Sequence, residues 1–175
     1  MIHSRLDAAT VPTPVGPLTV LVDADGKVRA AGFTHDHREL SPLIHPELRL
    51  PVRAREELGV VTAAVRAYLA GELTALDDLP VRQHSGPWRG RAWSVLRDVK
   101  PGDPITYTAF AALAGRPSAV RAAASACARN AVALIVPCHR VLRLDGTLGG
   151  YRWGLRVKSW LLDHERQAAG LGVRS

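Results

Sequence analysis

Apolar positions change their spacing part-way along the 175-residue chain. Early on they run almost consecutively: Leu18 to Val22, entered through Gly16-Pro17, and then Val28 to Phe33. Between these runs lies Asp23-Ala24-Asp25-Gly26, a turn signal that predicts a β-hairpin. Residues 34–53 hold three prolines and three histidines and predict an irregular surface connection. From Arg55 to Leu69 the spacing turns helical, with Leu58, Val61, Val65, Tyr68 and Leu69 on one face and Gly71 as a stop. Leu76 to Pro87 reads as a connection.

The second half is mainly helical. Trp88 to Val99 aligns Trp88, Ala92, Trp93, Leu96 and Val99, and Lys100-Pro101-Gly102-Asp103 breaks the helix. Thr106 can cap a short helix to Ala114. Gly115 and Pro117 punctuate, and an alanine-rich helix follows from Ser118 to about Arg129. Two short helices around Ala114-Gly115-Arg116-Pro117 make a helix-turn-helix pattern, though an αα-corner within a core has the same signature. Arg116, Arg121 and Arg129 bring the DNA-binding reading level with that alternative. Leu134-Ile135-Val136 reads as a short buried β run. The expected fold is α/β (α+β), with a small first domain over 1–82 and a mainly helical second domain over 83–175.

Charge separates the same two regions. Residues 1–86 carry nine Lys/Arg against eleven Asp/Glu, and residues 87–175 carry fourteen against five. The net +7 therefore lies in the second region, which suggests a polyanionic partner. Of the 23 basic residues 20 are arginine, a habit that composition could explain; the scarcity of acids after residue 86 it does not. No apolar run approaches the roughly 18 residues of a membrane span. Met1 to Asp7 shows no charged-then-apolar leader, so a cytoplasmic location is expected.

Two cysteines, Cys127 and Cys138, with no CxxC pair, give little support to a four-ligand zinc site. His3, His35 and His37 stand among loop-like residues, and no metal is expected. Pro137 fits the first position of a helical turn. Cys138 would then lie near unpaired backbone N–H groups whose partial positive charge favours thiolate. His139 follows, and Glu165 lies on a later helix. A free thiol is only a few per cent ionised at neutral pH, so a nucleophilic role needs a base, held in one tautomer by a carboxylate. A small buried cysteine beside an incidental histidine has the same local sequence.

The wider string resembles the O6-alkylguanine-DNA alkyltransferases. From about Trp88 to Glu165 the resemblance takes in Ile105-Thr106-Tyr107, Leu113-Ala114-Gly115, Arg121-Ala122, Asn130 and Ile135-Val136-Pro137-Cys138-His139-Arg140-Val141. Gly150-Tyr151, Lys158 and the run from Trp160-Leu161-Leu162 to His164-Glu165 continue it in order. The first half matches loosely, as a small ribonuclease H-like domain ahead of a winged-helix-like catalytic domain. The family implies a suicidal repair protein that moves an alkyl group, mainly methyl, from O6-alkylguanine or O4-alkylthymine in double-stranded DNA to Cys138. It implies single turnover, no cofactor, a monomer, and minor-groove contact through the helix-turn-helix.

Roles carry over by position. Cys138 matches the alkyl acceptor, His139 the base acting through a water, and Glu165 its orienting partner. Asn130 matches the brace of the nucleophile's turn, and Tyr107 the residue at the rotated phosphate, within reach of the base. Arg121 matches the side chain that fills the space left by the flipped guanine. Tyr151 matches the pocket wall and Lys158 its supporting partner, while the carbonyls of Val136 and Cys138 would accept from the guanine amino group. Thr108, Arg116, Ala122, Arg152 and Trp153 complete the expected DNA and lesion contacts.

Departures from the family are local. Many relatives carry proline after the asparagine, where this chain has Ala131, which loosens the turn. Small residues after the wall tyrosine are replaced by Arg152 and Trp153, so that Tyr151-Arg152-Trp153-Gly154 resembles the alkyltransferase half of the bacterial adaptive-response protein. The zinc ligands of some relatives' first domain have no counterpart. A DNA-binding module without chemistry would leave Cys138, His139 and Glu165 idle, and a Cys-His hydrolase would leave the basic half unexplained.

Overall fold

The computed structural model describes residues 4–170. The chain divides into two compact units, Met1–Ser85 with Ala131–Ile135, and Gly86–Asn130 with Val136–Ser175. The first boundary falls three residues after the one drawn from sequence, and five residues beyond it return to the first unit.

In the first unit, strands β1 (Leu6–Val11), β2 (Leu18–Val22), β3 (Val28–Gly32) and β4 (Val52–Ala54) form a four-stranded sheet in the order β3-β2-β1-β4. The pairs β1–β2 and β2–β3 are antiparallel, and β4 runs parallel to β1. Asp23 shapes the hairpin: its Oδ1 accepts from the backbone N–H of Asp25 and Lys27, and Gly26 takes φ +80°. The sequence pattern shows neither β1 nor β4. Both are short on alternation, and β4 gains its place by pairing with Leu6, Asp7 and Ala8.

Three one-turn 3-10 segments and β4 therefore replace the irregular connection expected over 34–53. Helix α1 (Val60–Leu69) starts later than the apolar spacing implies, because the Arg55 N–H still donates to Ala8 O at 2.7 Å. Val61, Val65 and Tyr68 bury its inner face. His35 and His37 lie beside the sheet on the connection after β3; His3 lies outside the described residues. The described side chains that do gather as possible metal ligands are His45, Glu47 and His84, but His45 Nδ1 already accepts from the Glu47 N–H.

Ala131–Ile135 close the outer edge of β3. The Ala31 N–H donates to Ala131 O (2.9 Å) and the Ala133 N–H to Ala31 O (3.0 Å), while Val81 bridges Val28 on the same strand. Leu134 to Val136 is thus a buried turn and not the β run expected, with Val132 alone bridging a strand. Leu134 takes φ +71°, the one non-glycine residue with positive φ among those described. Leucine adopts that conformation only where its surroundings enforce it.

The second unit comprises α2 (Pro87–Arg97), β5 (Ile105–Thr106), α3 (Tyr107–Leu113), α4 (Val120–Ala128), β6 (Val141–Leu142) and α5 (Leu155–Ala168). Pro87 occupies the first turn of α2, where its missing N–H costs nothing. Two indoles fasten α2: Trp88 Nε1–H donates to Ala114 O and Trp93 Nε1–H to Ala126 O, both at 2.9 Å. Thr106 caps α3, its hydroxyl accepting from the Ala109 N–H at 3.0 Å. The α3–α4 turn passes through Gly115 at φ +88°, beside the Arg91 guanidinium. β5 and β6 pair in parallel, bringing Tyr107 and the chain after Cys138 together. Among the described residues no helix is long and apolar enough to cross a membrane.

Candidate active site

The second unit buries an ionic cluster around one thiol. Cys138, His139 and Arg140 form a single 3-10 turn, all three buried. His139 Nε2–H donates to Glu165 Oε2 at 2.8 Å, with both side chains fully buried. Arg140 grips the same carboxylate from the other side, Nε to Oε1 and Nη2 to Oε2, each at 2.9 Å. Its Nη1 donates to Val99 O at 2.7 Å. These donors hold Glu165 well below the usual carboxylate range against the opposing effect of burial.

Burial pushes the His139 pKa down from its ordinary value, more than Glu165 raises it, so the imidazole is neutral at neutral pH. A neutral imidazole that donates through Nε2 presents a lone pair at Nδ1. His139 Nδ1 is buried without a hydrogen-bond partner, which makes it the nitrogen able to take a proton.

Asn130, at the end of α4, spans the turn before the thiol: its Nδ2 donates to Val136 O at 2.8 Å. The Cys138 N–H donates to the same carbonyl at 2.8 Å. Two sequence expectations change here. Pro137 precedes the turn as its cap residue and not in its first position, and the Cys138 N–H donates to Val136 O while also favouring the thiolate, an effect smaller than that of burial. Burial pushes the Cys138 thiol up from its ordinary value, with the Asn130 side chain and the Lys158 charge opposing it. The resting residue is a thiol, and ionisation must be coupled to proton removal. The Val136 carbonyl, expected to receive the guanine amino group, already accepts two donors. The Cys138 carbonyl accepts one, from the Val141 N–H, and keeps a lone pair.

Lys158 is buried on α5 and donates to the carbonyls of Val141 (2.8 Å), Leu148 and Gly150 (3.3 Å). The Gly150 carbonyl it reaches stands one residue before Tyr151, whose hydroxyl is buried with no hydrogen-bond partner. The same ammonium lies 5.9 Å from the centroid of the Tyr107 ring. Burial raises the Tyr107 phenol to about 12, so it stays a donor. Gly149, at φ +72°, lets the loop approach Tyr107, since a Cβ there would lie 3.2 Å from its ring.

Arg121 is exposed in the first turn of α4, with Ala122 half-buried beside it. Thr108 and Arg116 are exposed, and the Arg116 guanidinium stacks 5.1 Å over the Trp88 ring. Arg152 Nη2 donates to Ala128 O at 2.8 Å, so it closes the C-terminus of α4; Trp153 is half-buried. The structure gathers Asn130, Cys138, His139, Glu165, Lys158 and Tyr107 and leaves the arginines at the surface. The residue that sequence reasoning missed is Arg140. Its signal was a charge within the apolar stretch from Ala131 to Val141.

Residues 87–167 match the 6-O-methylguanine DNA methyltransferase, DNA binding domain, family. The methylated-DNA–protein-cysteine methyltransferase of Shigella flexneri is 34% identical over 164 residues, covering 92% of this chain and 96% of its own. The chain belongs to the methylated-DNA–protein-cysteine methyltransferase family. A second such methyltransferase, from Haemophilus influenzae, is 32% identical across 89% of this chain and 83% of its own. Among solved structures, the Mycobacterium tuberculosis enzyme in complex with DNA superposes with a TM-score of 0.76 at 27% identity, over 93% of this chain and 94% of that one. The mixed α/β architecture, sheet first and helical unit second, is that of the alkyltransferase family.

Proposed function

We propose that this methyltransferase repairs double-stranded DNA by moving an alkyl group, mainly methyl, from O6 of guanine to the Cys138 sulfur, once per chain. The observation that carries the reading is a buried thiol followed by a histidine with a free Nδ1 and a carboxylate-bound Nε2. The thiol proton passes to His139 Nδ1 through a water. The S–C bond forms as the C–O6 bond breaks, and the departing guanine takes up a proton. Each event exchanges one thiol proton for one alkyl group, and the thioether offers no easy route back.

Glu165 steadies the imidazolium as it forms, and Arg140 keeps that carboxylate ionised. Tyr107, a phenol held as donor, faces the departing base. The damaged nucleotide must leave the stack, at a cost of a few kcal/mol, and Arg121 fills its place as α4 enters the minor groove. Tyr151 walls the pocket, and Trp153 narrows it against bulky O6 substituents. O4-alkylthymine is a second substrate. The protein works as a cytoplasmic monomer without cofactor. The test is mass spectrometry after incubation with methylated duplex: one methyl per chain, on Cys138. Several lesions repaired per molecule, or a methyl elsewhere, rejects the reading.

A further inference from the structure

The five residues that lead from Asn130 to Val136 belong by their contacts to the first unit. Ala131 and Ala133 are each 3% exposed and Val132 is fully buried, so water does not reach their amide groups. Backbone partners on β3 satisfy the Ala131 carbonyl and the Ala133 N–H. The Ala131 N–H differs. Its acceptor is a side-chain oxygen, Gln83 Oε1, 3.0 Å away and 48 residues earlier in the chain. Only the oxygen of a carboxamide can accept from an N–H, so this contact also fixes which way the Gln83 amide faces.

We propose that Gln83 is a positioning residue for alkyl transfer: by holding the Ala131 N–H it sets the turn that carries Cys138. The inference rests on the alkyl-transfer reading and adds a residue to it. Hydrogen bonds run from Gln83 as far as Ile135, and the backbone alone carries the chain on to Val136 and the nucleophile. Gln83 holds Ala131; Ala31 joins Ala131 to Ala133; the Ile135 N–H donates to Ala133 O at 2.8 Å. From the other end, Asn130 Nδ2 and the Cys138 N–H converge on Val136 O.

Within this stretch Leu134 holds φ +71°, a conformation that relaxes once its neighbours permit it. Releasing the Ala131 N–H leaves a buried donor unpaired. The peptide joining Asn130 to Ala131 is then free to rotate, and Asn130 is the residue that braces the thiol's turn. A proline after the asparagine, as in many relatives, offers no donor and fixes its own φ. Alanine removes that restraint and creates the donor that Gln83 meets.

The experiment compares the parent with Gln83→Leu and Gln83→Glu in the full chain. Single-turnover methyl transfer from methylated duplex at saturating DNA is read beside the Kd for undamaged duplex. Amide hydrogen exchange is read over residues 131–136. Gln83→Leu is expected to slow transfer by about tenfold or more through misplacement of the sulfur, with Kd unchanged and exchange faster over 131–136. Gln83→Glu, which keeps an acceptor oxygen, is expected to restore both rate and protection. An undiminished rate for Gln83→Leu, an equal loss in Gln83→Glu, or unchanged exchange overturns the proposal. A parent that gains no methyl on Cys138 overturns the repair reading instead, and the exchange comparison then decides alone whether Gln83 holds the turn.

Discussion

In the first unit the ion pairs of Arg38 with Asp36, Arg53 with Asp7 and Arg66 with Glu57 all face solvent, Arg38 at 83% exposure and Glu57 at 54%. Arg29 with Asp23 is the buried exception, and it serves the hairpin. The second unit, apart from the exposed contact of Arg166 with Asp163 at 4.0 Å, does the reverse. It buries Glu165 completely between His139 and Arg140, and leaves Arg116, Arg121, Arg129 and Arg143 exposed. Exposed pairs in water contribute little. A buried carboxylate between two donors is worth its desolvation only where its charge does something, and here it holds the imidazole that follows a buried thiol. Exposed arginines, in turn, are free to meet phosphate.

The largest effect expected is at the sulfur. Cys138→Ser should lower alkyl transfer by roughly a thousandfold or more, since a hydroxyl is far harder to ionise. Duplex affinity, read by fluorescence anisotropy, should stay close to the parent's. Parallel loss of both would remove the division between buried chemistry and surface binding.

Next comes the cluster itself. Glu165→Gln strands the Arg140 charge inside the unit, and breaking one side of a buried pair costs about 3–5 kcal/mol. Glu57→Gln, at an exposed pair, should leave the denaturation midpoint where it was. Urea titrations of the two variants measure the contrast directly; similar midpoints would dissolve it.

Acid sharpens the same contrast. Glu165 has a folded pKa below its ordinary 4.5, so its contribution is complete above that value and lost as pH falls toward the folded one. His139 lies below its ordinary 6.5. The unfolded chain takes up that proton first, and stability again falls as pH drops below 6.5. Melting temperature should therefore decline below pH about 6.5 and more steeply below about 4.5. The steep part should shrink in Glu165→Gln. A parent whose melting temperature is flat through this window would contradict the burial of both groups.

The smallest effect expected is at the surface. Arg121→Ala should slow repair of duplex by about tenfold, and reaction with free O6-methylguanine much less, because a free base has no stack to leave. Arg66→Ala, an arginine of the first unit already paired, should change neither. Equal losses for Arg121→Ala on both substrates would detach the residue from base flipping.

The second unit was the more legible from sequence, for a physical reason. Its helices carry apolar faces at helical spacing, with Thr106, Gly115 and the proline-glycine break marking their ends, and local sequence decides all of these. In the first unit the β2–β3 hairpin and helix α1 have their signals within one stretch, whereas β1, β4 and the 131–135 segment do not. β4 is a strand because β1 lies beside it, and the Ala131–Ile135 segment belongs there because Ala31 and Gln83 receive it; partners 48 or 100 residues away leave no local pattern. Within the site, Cys138, His139 and Glu165 were legible as chemistry. The thiol's raised pKa was not, since it depends on burial, nor was the paired Cys138 N–H, which depends on the bend at Pro137. Arg140 stood in the string without a role until Glu165 was seen to need two donors.

The closure of β3 by Ala131–Ile135 has a consequence for synthesis. The strand leaves the ribosome about 100 residues ahead of the segment that covers it, a lag of several seconds at ordinary elongation rates. Until then Ala31 offers open N–H and C=O groups on a sheet edge, the arrangement that invites pairing with another chain. A fragment ending at Ser85 would keep that edge open permanently and should tend to self-associate, whereas one extended through Ile135 carries its own cover.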